Sequence, residues 1–487
     1  MKSINKDCIY FLGLVLFAIL FRFPYFDTYV LNWDESSFIL VGNAWREGSL
    51  PYTELWDMKQ PMLFAFFGAV ISLFGKSILM IRLMGTIAIS VSAFFVYLIG
   101  KKMVNRQMGF YAGILFIFSA SVYGSSQSVM SEHIAVLFLM PAIYVLMLAP
   151  QRILWFFVGG FLLGMSCLVR LNIAFVPLLL GIYFIFKPFH FVGNLKNNVL
   201  FTSGFILSFL LSFLMYYLKG YGETWWETVI LATFHYGNNQ EAANSISIKN
   251  HLILLLMIGI LLLGFYYLMK VKKVSIPWTN EWMILILCVA GIEISFLKSG
   301  NIFLHYLIQI YPFLSLLAVY GLSLYLKEKK YSPQLIFRTY AVFTMGLIFI
   351  MAYKFYSEDW KEKERENLAI EEISNYLNGK LNQEDKVYIT NYHIIYWLID
   401  KKPLSKATTH PSNINKTYLF PFMKEAGTTS MEKLELVLDQ NPRYILTEKK
   451  VWYFEDELQN NLNQELEKNY ELVLSTQDKL LLYERQE

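Results

Sequence analysis

Long apolar runs separated by short polar connectors occupy residues 1–353 of the chain. A helix needs about 20 apolar residues to cross a bilayer, so each such run predicts a membrane span. The predicted spans lie near residues 9–25, 79–99, 109–125, 134–149, 153–169, 173–189, 198–218, 251–269, 282–297, 303–326 and 334–353. The apolar segment 61–75 is shorter and is compatible with an interfacial helix as well as with a span. The pattern predicts an α-helical polytopic membrane protein with about eleven spans.

The pattern changes after residue 353, where charged and apolar positions become evenly mixed. A charged helix is predicted over 358–380 and a second polar helix over 455–468. Segments with the alternation and residue types of strands lie at 386–390, 442–447, 470–475 and 479–483. We therefore expect a transmembrane domain over 1–353, in which 27–78 is an outer loop with interfacial helices, and a small soluble α/β domain over 354–487. The order of the strands in the sheet does not follow from the pattern.

The overall composition agrees with a membrane protein. Hydrophobic residues make up 55% of the chain and charged residues 16%, whereas soluble domains carry about 25% charged residues. This balance excludes a water-soluble globule and a disordered chain. The formal net charge is only +4 and the chain has no basic block, so no nucleic-acid partner is expected and the lipid bilayer is the predicted environment.

Lysine and arginine are unevenly distributed between the two sides of the predicted spans. With the N-terminus inside and 61–75 on the outer surface, fifteen of these residues lie at inner positions and nine at outer positions before the soluble domain. An inner excess is typical of cytoplasmic loops. No small-x-small cleavage site follows the first apolar run, so we expect that run to remain as an anchor. The predicted location is the cytoplasmic (inner) membrane, and the odd number of spans places the C-terminal domain outside.

The loop after the first span contains the most informative polar residues. It carries an adjacent acidic pair, Asp34 and Glu35, and a later Asp57-Met58-Lys59 segment. Acids held near the lipid boundary are unfavourable and are usually functional. In a fully hydrated loop they carry no such penalty, so a solvated loop remains the structural alternative.

Several segments, in this order along the chain, resemble glycosyltransferases of the GT-C class, which use lipid-linked sugars. Within that class the chain resembles the protein O-mannosyltransferase-like family 39 and the lipid A aminoarabinose transferases. The resemblance covers roughly residues 10–330 and does not extend to the C-terminal domain. Gln60 replaces the first proline of the acid-x-Lys-Pro-Pro segment of these families. The segments that carry the resemblance are Asp34-Glu35, Asp57-x-Lys59-x-Pro61, Arg82-Leu83 with Tyr97 to Lys102, Gly160-x-x-x-Gly164 with Arg170, and His305-Tyr306-Leu307 with Tyr311-Pro312.

The resemblance implies transfer of a sugar from a polyprenyl-phosphate donor to a hydroxyl acceptor on the outer face of the membrane. Asp34 would be the general base, and Glu35 would orient it or bind the acceptor. Cations would hold the phosphate of the leaving lipid. Residues expected to bind the donor phosphate or the substrates are Lys59, Arg82, Asp57, Glu132, Arg170, Lys298, His305 and Tyr306. For the arginines and Lys298, contact with lipid headgroups is the structural alternative.

The sequence leaves the sugar, hexosyl or pentosyl, and the acceptor, a lipid, glycan or protein, undetermined. Abundant Lys, Asn and Ile indicate a bacterium, in which undecaprenyl phosphate would be the carrier. No cofactor is predicted. A divalent metal held by Glu132, His133, His235 or His305 is an open alternative, although these residues form no ligand motif.

Three other functions remain compatible with the sequence. A lipid or sugar transporter or flippase would use acids inside the membrane, and Glu293 is the clear acid within a predicted span. A non-catalytic assembly protein with an external binding domain would not need Asp34. A polymerase or ligase of surface polysaccharide would share the donor and differ in the acceptor.

Overall fold

The structure, a computed structural model, describes residues 6–122, 127–186, 191–238, 279–299, 303–329, 333–476 and 480–486, and the single positions 252, 259, 266 and 269. Apart from those four positions, the predicted span 251–269 lies outside the described residues. The chain forms two compact units. We call Met1–Tyr25, Arg82–Leu214 and Gln240–Tyr353 the helical unit, and Phe26–Ile81, Met215–Asn239 and Lys354–Glu487 the mixed unit. The first outer loop therefore belongs to the same compact unit as the C-terminal α/β domain.

Every predicted span other than 251–269 coincides with a helix. These helices are α1 (Lys6–Arg22), α4 (Ile78–Met103), α5 (Arg106–Ser119), α6 (Ser131–Leu148), α7 (Leu154–Cys167), α8 (Phe175–Phe186), α9 (Phe191–Tyr217), and the helices Asn280–Ser299, Tyr311–Lys329 and Pro333–Lys354. Among the described residues, five helical segments are long and apolar enough to cross a membrane. They are Lys6–Tyr25, Ile78–Met103, Ser131–Gln151, Asn194–Tyr217 and Asn280–Lys298. The chain is a polytopic α-helical membrane protein, and the predicted count of eleven spans is not confirmed.

Glycines allow α7 and α9 to approach each other closely. A Cβ atom added at Gly160 of α7 would collide with the backbone carbonyl oxygen of Phe201 in α9. A Cβ atom added at Gly204 of α9 would collide in the same way with the carbonyl oxygen of Phe157 in α7. Small residues at such crossings let helix backbones pack directly inside a membrane.

The mixed unit contains two helices from the first outer loop, α2 (Trp33–Arg46) and α3 (Pro61–Phe74). They pack tightly, because a Cβ atom added at Gly42 would lie 2.7 Å from the Cβ of Phe67. Helix α3 has 14 residues. At about 1.5 Å per residue it is too short to cross a hydrocarbon core of about 30 Å. The helices α5 and α7 have the same length, so length alone does not separate an interfacial helix from a span.

A four-stranded sheet forms the centre of the C-terminal domain. Its strands are β1 (Val387–Ile389), β2 (Tyr444–Glu448), β3 (Tyr470–Ser475) and β4 (Leu480–Arg485), in the order β1-β2-β4-β3. The β1–β2 pair is parallel and the other two pairs are antiparallel. All four predicted strands and both predicted helices are confirmed, the helices as Trp360–Asn378 and Asp456–Asn469. A third helix, Ser430–Leu438, was not predicted, and its Leu434 and Val437 lie in the buried core beside Ile445 of β2.

Candidate functional site

The acidic pair lies in the first turn of α2. Asn32 caps this helix, because its side-chain oxygen accepts a hydrogen bond of 2.9 Å from the backbone N–H of Asp34. Acids are favoured here, where the helix dipole is positive. The two acids differ in environment: Glu35 is 1% exposed, whereas the side chain of Asp34 is 30% exposed. Only Asp34 therefore combines a fixed backbone position with access to solvent.

A histidine of the C-terminal domain contacts the Asp34 carboxylate. The Nε2 atom of His410 lies 3.0 Å from Oδ1 of Asp34. The other ring nitrogen, Nδ1, accepts a hydrogen bond of 3.2 Å from the backbone N–H of Ser412. In neutral imidazole one nitrogen accepts and the other donates. The proton is therefore on Nε2, which donates to Asp34.

Neighbouring residues hold His410 in place. Thr409 is fully buried. Its carbonyl oxygen accepts a hydrogen bond of 3.2 Å from Ser37 Oγ on α2, and its hydroxyl oxygen accepts one of 3.1 Å from the backbone N–H of Trp56. On the other side, the carbonyl oxygen of Thr408 lies 2.9 Å from Nε2 of the buried His393. Residues 408–410 are therefore held on one side by the loop 27–78 and on the other by the rest of the C-terminal domain.

Lys416 lies within electrostatic range of Asp34 and of a second acid, Asp57. Asp57 is buried, and its Oδ1 accepts a hydrogen bond of 2.9 Å from the backbone N–H of Lys59. Lys416 is partly buried, and its Nζ donates to Oδ1 of Asn413 over 3.3 Å. Burial lowers the pKa of Lys416, while Asp34 and Asp57 oppose that shift and Lys59 adds to it. The charges of Asp34, Asp57 and Lys59 therefore all act on Lys416.

Sequence reasoning missed His410 and Lys416. His410 lies 376 positions after Asp34. A lone histidine followed by proline in a soluble domain carries no motif. Nothing in the hydrophobic pattern indicates that the segment packs on α2. Only the tertiary structure shows that either residue lies near Asp34.

A second group of predicted residues lies together in the helical unit. Glu132, fully buried in the first turn of α6, forms a salt bridge with the guanidinium of Arg170 and accepts a hydrogen bond of 3.1 Å from Ser131 Oγ. The guanidinium lies 4.4 Å from the ring centroid of Tyr306. His305 Nε2 lies 3.9 Å from Glu132 Oε1. The structure thus brings together Glu132, Arg170, His305 and Tyr306, which we call the Glu132 cluster.

Polar neighbours form hydrogen bonds around the buried ion pair of Glu132 and Arg170. Arg170 Nε donates to Oδ1 of Asn172 over 3.2 Å. The side-chain amide of Asn172 then donates to Gln309 Oε1 over 3.2 Å and to Ser295 Oγ over 3.3 Å. A buried ion pair is tolerated only when further hydrogen bonds satisfy its remaining polar atoms. Asn172 and Gln309 therefore belong to the environment of the Glu132 cluster, although the sequence did not indicate them.

Arg82 and Lys298 occupy other positions. Arg82 is 1% exposed and its Nη1 donates to the carbonyl oxygen of Gln127 over 3.2 Å. Arg22, which is also buried, donates to the same oxygen over 2.7 Å. These contacts place both guanidinium groups beside the segment of chain that precedes α6. Lys298 is exposed in the last turn of the helix Asn280–Ser299.

The histidines considered for a metal site have other contacts. His133 Nδ1 accepts from the backbone N–H of Met130 over 3.2 Å, and its Nε2 lies 3.2 Å from the carbonyl oxygen of Ala120. His235 packs against the aromatic rings of Tyr418 and Phe422. Within the described ranges, no three or more His, Cys, Asp and Glu side chains are grouped so that they could hold a metal ion.

Comparisons with known proteins support the sequence resemblance. A sequence model of the dolichyl-phosphate-mannose-protein mannosyltransferase family matches residues 58–217. This range contains Lys59, Arg82, Glu132 and Arg170, and it begins after Asp34. No curated protein matches the chain by sequence.

Solved structures share the fold over nearly the whole chain. The crystal structure of ArnT from Cupriavidus metallidurans bound to undecaprenyl phosphate superimposes with a TM-score of 0.68 at 10% identity, and the match covers 98% of this chain and 97% of that one. Archaeal oligosaccharyltransferase AglB from Archaeoglobus fulgidus, in complex with an inhibitory peptide and a dolichol-phosphate, matches with a TM-score of 0.50 at 10% identity, covering 99% of this chain and 74% of that one. At such low identity the likeness is one of fold. Together with the family match, it confirms the predicted resemblance to GT-C glycosyltransferases and to aminoarabinose transferases.

Proposed function

We propose that this protein is a membrane glycosyltransferase that transfers a sugar from a polyprenyl-phosphate donor to a hydroxyl acceptor on the outer face of the membrane. The observation that supports it most strongly is the environment of Asp34. This carboxylate is partly exposed, its partner His410 is on a separate segment of the chain, and its charge acts on the nearby ammonium group of Lys416. Transfer from a lipid phosphate to a hydroxyl group needs a base and cations together.

Asp34 is assigned as the general base. It takes the proton of the acceptor hydroxyl while the acceptor oxygen forms a bond to the anomeric carbon of the sugar. The bond from that carbon to the phosphate oxygen breaks, and the polyprenyl phosphate leaves with the electron pair. Glu35, which is buried, is assigned to holding the first turn of α2 in place rather than to proton transfer.

Lys59 and Lys416 are assigned to the phosphate. An ammonium group beside a departing phosphate stabilises the charge that develops on the leaving group. Burial lowers the pKa of Lys416, because it removes water from around the ammonium group. Such a group gains more from an anionic ligand than a fully hydrated lysine does. Asp57 positions Lys59 through its hydrogen bond to the backbone N–H.

The Glu132 cluster is assigned to the sugar or its phosphate. Arg170 already neutralises Glu132, so the pair offers hydrogen-bonding groups with little net charge. His305 and Tyr306 add an imidazole and an aromatic ring, which suit sugar hydroxyls and sugar faces. We assign Arg82 to structure and Lys298 to contact with lipid headgroups.

We further propose undecaprenyl phosphate as the carrier, the cytoplasmic membrane as the location, and an N-terminus inside with the C-terminal domain outside. The fold match to a protein crystallised with undecaprenyl phosphate supports the carrier. The excess of inner Lys and Arg supports the orientation.

A transfer assay with labelled donors tests the function. Purified protein in liposomes would be given polyprenyl-phosphate sugars of different hexoses and pentoses, each radiolabelled in the sugar, together with cell-envelope acceptors. The proposal predicts that label moves to an acceptor and that polyprenyl phosphate appears in equal amount. A flippase would move the intact donor across the bilayer without releasing the sugar, and that result would reject the proposal.

A further inference from the structure

We infer that His410, carried by the C-terminal α/β domain, is a positioning residue for the Asp34 carboxylate. This inference rests on the proposed function, since it concerns the group assigned as general base. It gives the C-terminal domain a direct part in the reaction, because that domain supplies one of the hydrogen bonds to the base.

The two ring nitrogens of His410 have separate partners. Nδ1 accepts from the backbone N–H of Ser412 and lies 3.0 Å from the Ser412 hydroxyl oxygen, so it caps the short helical turn Pro411–Asn415. Nε2 donates to Asp34 across 3.0 Å. The cap could be provided by many residues, such as Asn or Ser. The donor to Asp34 requires a longer side chain with a hydrogen on its far nitrogen.

The contact to Asp34 is one of several between the C-terminal domain and the start of α2. The ring of Trp33 packs on Trp452 with 4.9 Å between centroids. Ser37, one turn further along, bonds to the backbone of Thr409. Asp34 lies in sequence between Trp33 and Ser37. Their contacts therefore fix the position of α2 relative to His410. A hydrogen bond between two such fixed groups loses little entropy on forming.

The hydrogen bond from Nε2 acts on the carboxylate in two ways. It fixes the side-chain torsion of Asp34 and therefore the direction of the lone pairs that receive the acceptor proton. It also stabilises the charged form of the carboxylate, because the donor bonds to the anion. His410 keeps its proton throughout, so it is not itself the base.

Two substitutions separate this role from helix capping. In His410→Gln the side-chain amide nitrogen reaches about as far as Nε2 and still donates to Asp34, while the acceptor for Ser412 is lost. In His410→Asn the side-chain oxygen lies about where Nδ1 was and still accepts from Ser412, while the donor to Asp34 is lost. His410→Ala removes both contacts.

The measurement is kcat and donor KM for the three variants in detergent, with folded protein quantified by size-exclusion chromatography and thermal unfolding. We expect kcat to fall about 10- to 100-fold in the Ala and Asn variants, as is typical when a group that orients a reacting residue is removed. Donor KM should stay within about threefold, and the Gln variant should recover most of kcat. Recovery by Asn and not by Gln would show that His410 is only a helix cap, and would overturn the inference.

The combination with Asp34→Asn separates failure of this inference from failure of the proposed function. If His410 acts through Asp34, then adding His410→Ala to Asp34→Asn should not lower kcat further. A further loss of the same size as in the single variant would overturn the positioning role and leave the proposed function intact. Absence of transfer by the wild type, or normal turnover by Asp34→Asn, would instead overturn the assignment of the base and the inference with it.

Discussion

Asp34 and Glu35 show that adjacent acids of the same helical turn can have different environments. Successive helix positions point about 100° apart, so Glu35 packs inside while Asp34 remains accessible. The acidic pair is visible in the sequence, and it led to both residues being expected at the active site. Only the packing of the loop distinguishes the accessible acid from the buried one.

At the scale of single residues, the proposed role of Lys416 can be tested by substitution. Lys416→Met keeps the length and the apolar stem and removes the charge. If this lysine stabilises the donor phosphate, kcat/KM for the donor should fall by about tenfold or more, because a hydrogen bond to a charged group contributes about 1.5–3 kcal/mol. The measurement is a donor titration in detergent.

The matched control is Lys450→Met in the same domain. Lys450 is exposed, and its Nζ lies 3.8 Å from Oδ1 of Asp456, which is also exposed. This control should leave donor use unchanged. Equal donor dependence in wild type and Lys416→Met would remove Lys416 from the phosphate site.

The buried pair Glu132–Arg170 gives a second prediction. Glu132→Gln leaves the buried Arg170 guanidinium without its counter-charge, and breaking a buried pair costs roughly 3–5 kcal/mol of stability. We expect a lower unfolding temperature in detergent for Glu132→Gln. The double variant Glu132→Gln, Arg170→Met should recover part of this loss, because it leaves no unpaired buried charge. If the single variant is as stable as the wild type, the pair does not hold the helical unit together.

At the scale of elements, the spans and strands were predictable because their signals are local. An apolar run of sufficient length specifies a membrane helix, and alternation specifies a strand, whatever the rest of the chain does. The sheet order and the position of residues 408–410 on α2 depend on contacts between distant parts of the chain, so neither was predictable. The hydrogen bond from Arg82 to the carbonyl oxygen of Gln127 also joins separate parts of the chain, and the sequence did not indicate it.

The crossing of α7 and α9 gives a prediction for packing. Gly160→Leu places a side chain against the backbone of Phe201, so the helices must separate. Overpacking costs typically about 1–3 kcal/mol, and backbone contact raises that figure. We expect less folded protein in membranes and a lower unfolding temperature.

Gly346→Leu in the helix Pro333–Lys354 is the control, because a Cβ added at this glycine meets no other part of the described chain within 4 Å beyond its own stretch of helix. It should behave like wild type. Equal stability of both variants would contradict a close contact at Gly160.

At the scale of the whole molecule, the proposed orientation is open to direct test. In a variant without the native cysteines, Lys450→Cys in the C-terminal domain should react with a membrane-impermeant maleimide on intact cells. Arg152→Cys, exposed after α6 at a predicted inner position, should react only after lysis. The opposite pattern would place the C-terminal domain, and with it His410, in the cytoplasm. The acceptor would then have to be sought there.

The most direct test of the central claim is the rate of sugar transfer by Asp34→Asn, measured in liposomes as polyprenyl phosphate released and acceptor labelled. This variant keeps the size of the side chain and removes its basicity. Asp27→Asn, an exposed acid in the same loop, is the control. Loss of a general base typically lowers the rate about 100- to 10,000-fold. We predict a fall in this range for Asp34→Asn, with normal amounts of folded protein and no change for Asp27→Asn. Transfer by Asp34→Asn at the wild-type rate would contradict the account.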